Sequence, residues 1–172
     1  DLAKHRILWL LALMLSATIT GRIITGFEEL LAQAVVLTAF IPMLMDTGGN
    51  CGAQSSTMVI RGLALGQIAP RDIGRVLWKE LRVSIICGVM LGVVNFARIL
   101  CFEQVGAAVA LAVSLSLVVT VICSKCVGGL LPILAKMVHL DPAVMASPLI
   151  TTLVDTVSLL VFFSFSKMIL GI

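Results

Sequence analysis

With 172 residues, 60% of them hydrophobic and 12% charged, and a mean hydropathy of +1.16, this chain is not a soluble domain, which would carry about a quarter charged residues. The net charge of +3 is too small to suggest a nucleic-acid partner. The composition is that of an integral membrane protein in a lipid bilayer, and of the helical kind. Its apolar runs approach or exceed the ~20 residues of a crossing, and none alternates with the two-residue period of a membrane barrel.

The first span is expected over roughly 7–24. Its apolar run lacks a small-residue cleavage site and further spans follow, so it reads as a membrane helix and not a signal peptide. The second span, 30–63, carries a polar interruption at 42–57. Next comes 70–83, where Arg71, Arg75, Lys79 and Arg82 alternate with Ile73, Val76, Leu77 and Leu81 at helical spacing behind Pro70. That pattern predicts a basic interfacial helix against anionic headgroups, which also sets topology. The third, fourth and fifth spans are expected at 83–101, 105–138 and 143–170.

The second and fourth spans are too long for a straight crossing at 1.5 Å per residue. They must tilt, break or extend beyond the bilayer, and each carries helix breakers, Gly48-Gly49 in one and Gly128-Gly129 with Pro132 in the other. The fold is thus an all-α membrane protein, a single five-helix transmembrane domain over 1–172. Cys51, Cys87, Cys101, Cys123 and Cys126 lie mostly within apolar runs, as small packing residues do. The Cys123-Ser124-Lys125-Cys126 pattern lacks a second pair or a nearby histidine that would make a metal site.

Basic residues set orientation. With the N-terminus inside, the cytoplasmic side holds Lys4, Arg6, Arg61, Arg71, Arg75, Lys79, Arg82 and Lys136, and the outer side Arg22, Arg98 and Lys167. The N-terminus is therefore expected in the cytoplasm and the C-terminus outside. Lys125 falls within the fourth span, where it either pairs with an acid or snorkels to the inner interface.

Two polar features interrupt the apolar runs. The segment 42–57 holds an acid, two amides, four hydroxyls and three glycines. Polar groups survive in a membrane only where protein or a water-filled path satisfies them. In the fifth span Ser147, Thr151, Asp155 and Ser158 share one helix face by their spacing, and an intramembrane acid marks a functional site by default. In the second span Thr47, Asn50, Gln54, Thr57 and Arg61 form a matching stripe. Gly48, Gly49 and Gly52 there make regular helix doubtful, leaving carbonyls free as ligands, or else serve close helix packing.

Carboxylate, amide and hydroxyl oxygens without clustered imidazole or thiolate favour Mg²⁺, with Mn²⁺ or Ca²⁺ possible, over Zn²⁺ or Cu²⁺. One Asp155 offers a single negative charge to a divalent ion. Two copies around a two-fold axis offer two, which points to a homodimer.

The run Asp46-Thr47-Gly48-Gly49-Asn50-Cys51-Gly52-Ala53-Gln54-Ser55-Ser56-Thr57-Met58-Val59-Ile60-Arg61-Gly62-Leu63-Ala64 behind Pro42 resembles a signature of the MgtE magnesium channels. So does Asp141-Pro142-Ala143 followed by Pro148-Leu149-Ile150-Thr151-Thr152-Leu153-Val154-Asp155. The resemblance covers the whole chain as that family's five-span membrane domain. It implies a homodimeric Mg²⁺ channel of the inner (plasma) membrane, its pore at the subunit interface and formed by the second and fifth spans of both copies. It places a largely hydrated Mg²⁺ at Asp155, with backbone oxygens such as that of Thr151 nearby. Asp46, Gly48, Gly49, Asn50, Gln54, Thr57, Ser147 and Ser158 are the expected pore-lining residues.

The family also carries cytoplasmic gating domains that this sequence does not include, so it is either the membrane part of a longer protein or a short member. The alternative is a proton- or sodium-coupled secondary transporter of divalent cations, with a purely structural membrane subunit as a further reading. An intramembrane aspartyl protease is disfavoured. Neither Asp46 nor Asp155 lies in a G-x-G-D setting, and the chain has no tyrosine.

Overall fold

Runs of Leu, Ala, Met and Ile are good helix formers, and in lipid a helix satisfies all its own backbone groups. The computed structural model describes the backbone of residues 2–171, with side chains throughout except at 2–6, 8, 9 and 144–148. The helices follow in order as α1 (Leu2–Gly26), α2 (Glu28–Gln33), α3 (Ile41–Ala64), α4 (Ile73–Phe102), α5 (Ala107–Met137) and α6 (Pro142–Leu170). Turns of 3-10 helix at Val35–Phe40 and Pro70–Asp72 precede α3 and α4.

Among the described residues three segments are long and apolar enough to cross a membrane: Pro70–Phe102, Ala107–Met137 and Leu149–Leu170. The apolar part of α1, Leu10–Gly26, is shorter. Helix α3 has the length, 24 residues, but its polar side chains dilute its hydropathy.

The expected breaks are not where the glycines stand. Helix α3 runs unbroken through Gly48-Gly49, and α5 runs unbroken through Gly128-Gly129 and Pro132. The second span is interrupted earlier, at Ala34 and the following 3-10 turn. Pro42 accounts for this: it lacks the N–H that a continuous helix would aim at the Thr38 carbonyl, so a new helix starts at Ile41 with Pro42 in its first turn. The basic segment is likewise not a separate helix. After the Pro70–Asp72 turn it runs straight into α4.

Helix α5 is the hub, packing on α3, α4 and α6, while α1 packs on α6. Small residues on several sides of α5 allow this, since Ala112, Ser116, Ser124, Gly128 and Gly129 are all buried. One half of the bundle has a core of Leu37, Phe40, Leu44, Ile99, Leu117, Leu159, Phe162 and Phe163. There Phe27 stacks on Phe163 with ring centroids 4.7 Å apart. The other half is held by Val59, Val76 and Ile133.

The Arg98 guanidinium ties one end together. It donates to Asn95 Oδ1 at 3.1 Å and to Glu103 Oε1 at 3.3 Å, and it reaches Met43 of α3.

Candidate functional site

Helices α3 and α6 meet along a seam closed by glycine. A Cβ at Gly48 would lie 2.8 Å from Val154 and 3.1 Å from the Ser158 hydroxyl, and one at Gly52 would lie 2.7 Å from Ile150. Ile150, Val154 and Ser158 are therefore the α6 face turned toward α3. Ser158 is 1% exposed, and its hydroxyl donates to the Val154 carbonyl at 2.6 Å. Gly48 and Ser158 thus sit against each other in the interior of the bundle. Ser147 lies outside the described residues.

Thr151 and Asp155 are a turn apart on the edge of α6 beside that seam. Thr151 is exposed and Asp155 half-buried. Facing Thr151 across the seam, Gly49, Ala53, Ser56, Thr57 and Ile60 of α3 complete a recess of about 210 Å³. No Cβ contact lies within 4 Å of Gly49, so its backbone faces open space. Among the described residues no cation lies within 4 Å of the Asp155 carboxylate, and no group of three or more His, Cys, Asp or Glu could hold an ion. Asp155 thus stands beside the seam as a single acid, a turn from the recess-lining Thr151.

The polar stripe of α3 is real and exposed: Asp46, Asn50, Gln54, Thr57 and Arg61 all face outward, with Thr47 half-buried at its edge. Asn50 donates to Asp46 Oδ2 at 3.2 Å, and Thr57 donates back to the Ala53 carbonyl at 2.8 Å. An open groove lined by Asn50, Ala53, Gln54, Thr57 and Met58 continues from the recess. Because α3 is a regular helix, its glycines offer close approach and not freed carbonyls.

Two polar contacts behind the stripe were not anticipated. The Ser55 hydroxyl donates to Glu80 Oε2 of α4 at 2.6 Å, and the Lys125 ammonium of α5 donates to Gln54 Oε1 at 3.5 Å. Glu80 sits among four basic residues and reads as a solvated charge. The available signal was its register with Val76 and Ser84, which are buried on the same face of α4. Among the described residues Lys125 has no acid within 4 Å, and its ammonium meets the Gln54 amide instead. All five cysteines are free thiols.

A family model described as MgtE, divalent cation transporter, matches residues 41–165, an interval that takes in both walls of the seam. The chain belongs to the MgtE family. It is 34% identical over 165 residues to the magnesium transporter MgtE of Thermus thermophilus. It is 37% identical over 165 residues to that of Bacillus subtilis and 28% over 166 to that of Enterococcus faecalis. These alignments cover 94–96% of this chain but 36% of each relative. This MgtE-family chain therefore spans about a third of the length of the curated relatives it matches, and α1 lies outside the interval of the family model.

Proposed function

We propose that this chain is the pore-forming membrane domain of a Mg²⁺ channel, a homodimer in which α3 and α6 of both copies surround the ion path. The observation that carries this is the seam. The Asp155 carboxylate stands a turn from Thr151, and Thr151 lines a recess whose other wall is α3 beside its exposed polar stripe.

Mg²⁺ gives up its water reluctantly and is commonly held by one or two carboxylates plus several retained waters. One Asp155 per protomer suits this, and a two-fold axis brings a second to balance the ion's charge. Thr151 and the amides and hydroxyls of Asn50, Gln54 and Thr57 hydrogen-bond the hydration shell, while Asp46 attracts ions at the outer end. On this reading five crossings put the termini on opposite sides of the inner membrane, and the excess of basic residues on one side assigns the N-terminus to the cytoplasm. Mn²⁺ and Ca²⁺ share the oxygen chemistry and are the competitors to compare.

The decisive experiment is Mg²⁺ uptake into proteoliposomes carrying the protein, with a Mg²⁺ gradient and no gradient of H⁺ or Na⁺. Uptake is expected, and Asp155→Ala abolishes it. Uptake that demands a proton or sodium gradient would make the protein a coupled transporter. Unchanged uptake in Asp155→Ala would remove Asp155 from the path.

A further inference from the structure

Lys125 lies in the middle of α5, and only 6% of its surface is exposed. Among the described residues no carboxylate comes within 4 Å of its ammonium. Its hydrogen-bond partner is the neutral amide of Gln54, at 3.5 Å. A buried ammonium without a counter-ion is costly in protein and more so in a bilayer, where such charges line ion or substrate pathways.

An acid stands close by and is not used. Glu80 packs on Gly129, a turn along α5 from Lys125, where a Cβ would lie 2.9 Å from Glu80 Cγ. Yet its carboxylate turns to the Ser55 hydroxyl at 2.6 Å. Lys125 instead reaches across the α3–α5 crossing to the back of the polar stripe. Gln54, its anchor, is exposed and lines the open groove that continues from the Thr151 recess.

We propose that Lys125 is a fixed cation of the ion path, a specificity-determining residue that weakens divalent binding and so keeps the ion from being trapped by the Asp155 carboxylates. This rests on the reading of the α3–α6 seam as the path. Gly48 marks the level of Asp155, since it packs on Val154 and Ser158 to either side of it. Gln54 lies further along α3 by about 9 Å at 1.5 Å per residue. That axial offset is the least separation of the ammonium from the ion, and at roughly 10 Å a unit charge lowers a divalent ion's affinity about fourfold in bulk water and more than a hundredfold at an effective dielectric near 20. A neutral amide at the same point would have neither effect, so the ammonium and not the bulk of residue 125 is what matters.

The test measures the half-saturating Mg²⁺ concentration for uptake into proteoliposomes carrying the intact protein as wild type, Lys125→Gln, Lys125→Arg, Gln54→Glu or Asp155→Ala. Lys125→Gln is expected to lower that concentration by about fourfold or more. Lys125→Arg keeps the charge and behaves as wild type. Gln54→Glu neutralises the ammonium in place without emptying the helix crossing, so it shifts the value in the same direction even if Lys125→Gln fails to assemble.

Values within twofold of wild type for both charge-neutralising variants, with Asp155→Ala inactive, overturn the role of Lys125 and leave the path intact. A shift in Lys125→Arg as large as that in Lys125→Gln overturns it too, since packing alone would then explain the effect. Undiminished uptake in Asp155→Ala overturns the underlying path instead.

Discussion

Gly128 of α5 and Gly52 of α3 touch backbone to backbone. A methyl group added to Gly128 would run into the carbonyl and Cα of Gly52. Such crossings let membrane helices approach closely without a hydrophobic force between them. Neither partner can yield, because both are main chain.

Gly128→Ala therefore forces α3 and α5 apart and costs about 1–3 kcal/mol. Thermal unfolding in detergent should show a clear fall in midpoint. Gly49→Ala, whose Cβ meets nothing within 4 Å, should leave the midpoint where it was. Equal midpoints for Gly128→Ala and wild type would mean that the crossing is looser than described.

Ser55→Ala removes the donor to Glu80. Hydrogen bonds between membrane helices average about 0.6 kcal/mol with a maximum near 1.7, so a loss of about 1 kcal/mol is expected. Glu80→Gln keeps an acceptor oxygen and should lose less. A double-mutant cycle with Ser55→Ala and Glu80→Ala checks the pairing, and strict additivity of the two changes would contradict it.

Asp155→Asn is expected to stabilise the fold while it silences transport. An ionised acid in a crossing segment costs about 2.5–3.5 kcal/mol by insertion scales, and a neutral amide carries less of that cost. The thermal midpoint should rise even as Mn²⁺ binding, read by its paramagnetic signal, disappears. Retained Mn²⁺ binding would show that the ion sits elsewhere.

The exposed stripe predicts a labelling pattern. In a background without native cysteines, Asn50→Cys and Thr57→Cys should react with a water-soluble thiol reagent. Ser55→Cys, on the buried face of α3, should not. Equal reactivity at all three would mean that α3 is turned differently about its axis.

Much of this was legible beforehand. Helices α5 and α6 lie close to their expected boundaries because uninterrupted apolar runs in lipid have one good backbone solution, whereas α4 starts ten residues early because the basic segment joins it. Asp155 stood out because an acid within such a run is rarely idle. The glycine pairs were harder. Gly48-Gly49 and Gly128-Gly129 carry the same composition whether they end a helix or press it against a neighbour. What decides is the partner on the other helix, as Gly52 is for Gly128, and sequence spacing along one helix does not name it. The side on which Ser158 faces had the same origin. Periodicity grouped it with Asp155, and only the contact with Gly48 turned it inward. At residues 34–42 the reverse holds: Pro42 within an apolar run starts a new helix at Ile41 behind a 3-10 turn, and hydropathy alone does not mark it.

Pro132 has a consequence for motion. With no N–H of its own, it leaves the carbonyl of Gly128 without the ladder partner that every neighbouring turn of α5 possesses. Helix α5 is thus one bond weaker in the turn where its backbone rests on Gly52. Bending is cheapest there, and the bare main-chain contact at Gly52 becomes the fulcrum. A tilt of the Lys136 end of α5 would lever directly on α3, carrying its exposed polar stripe with it.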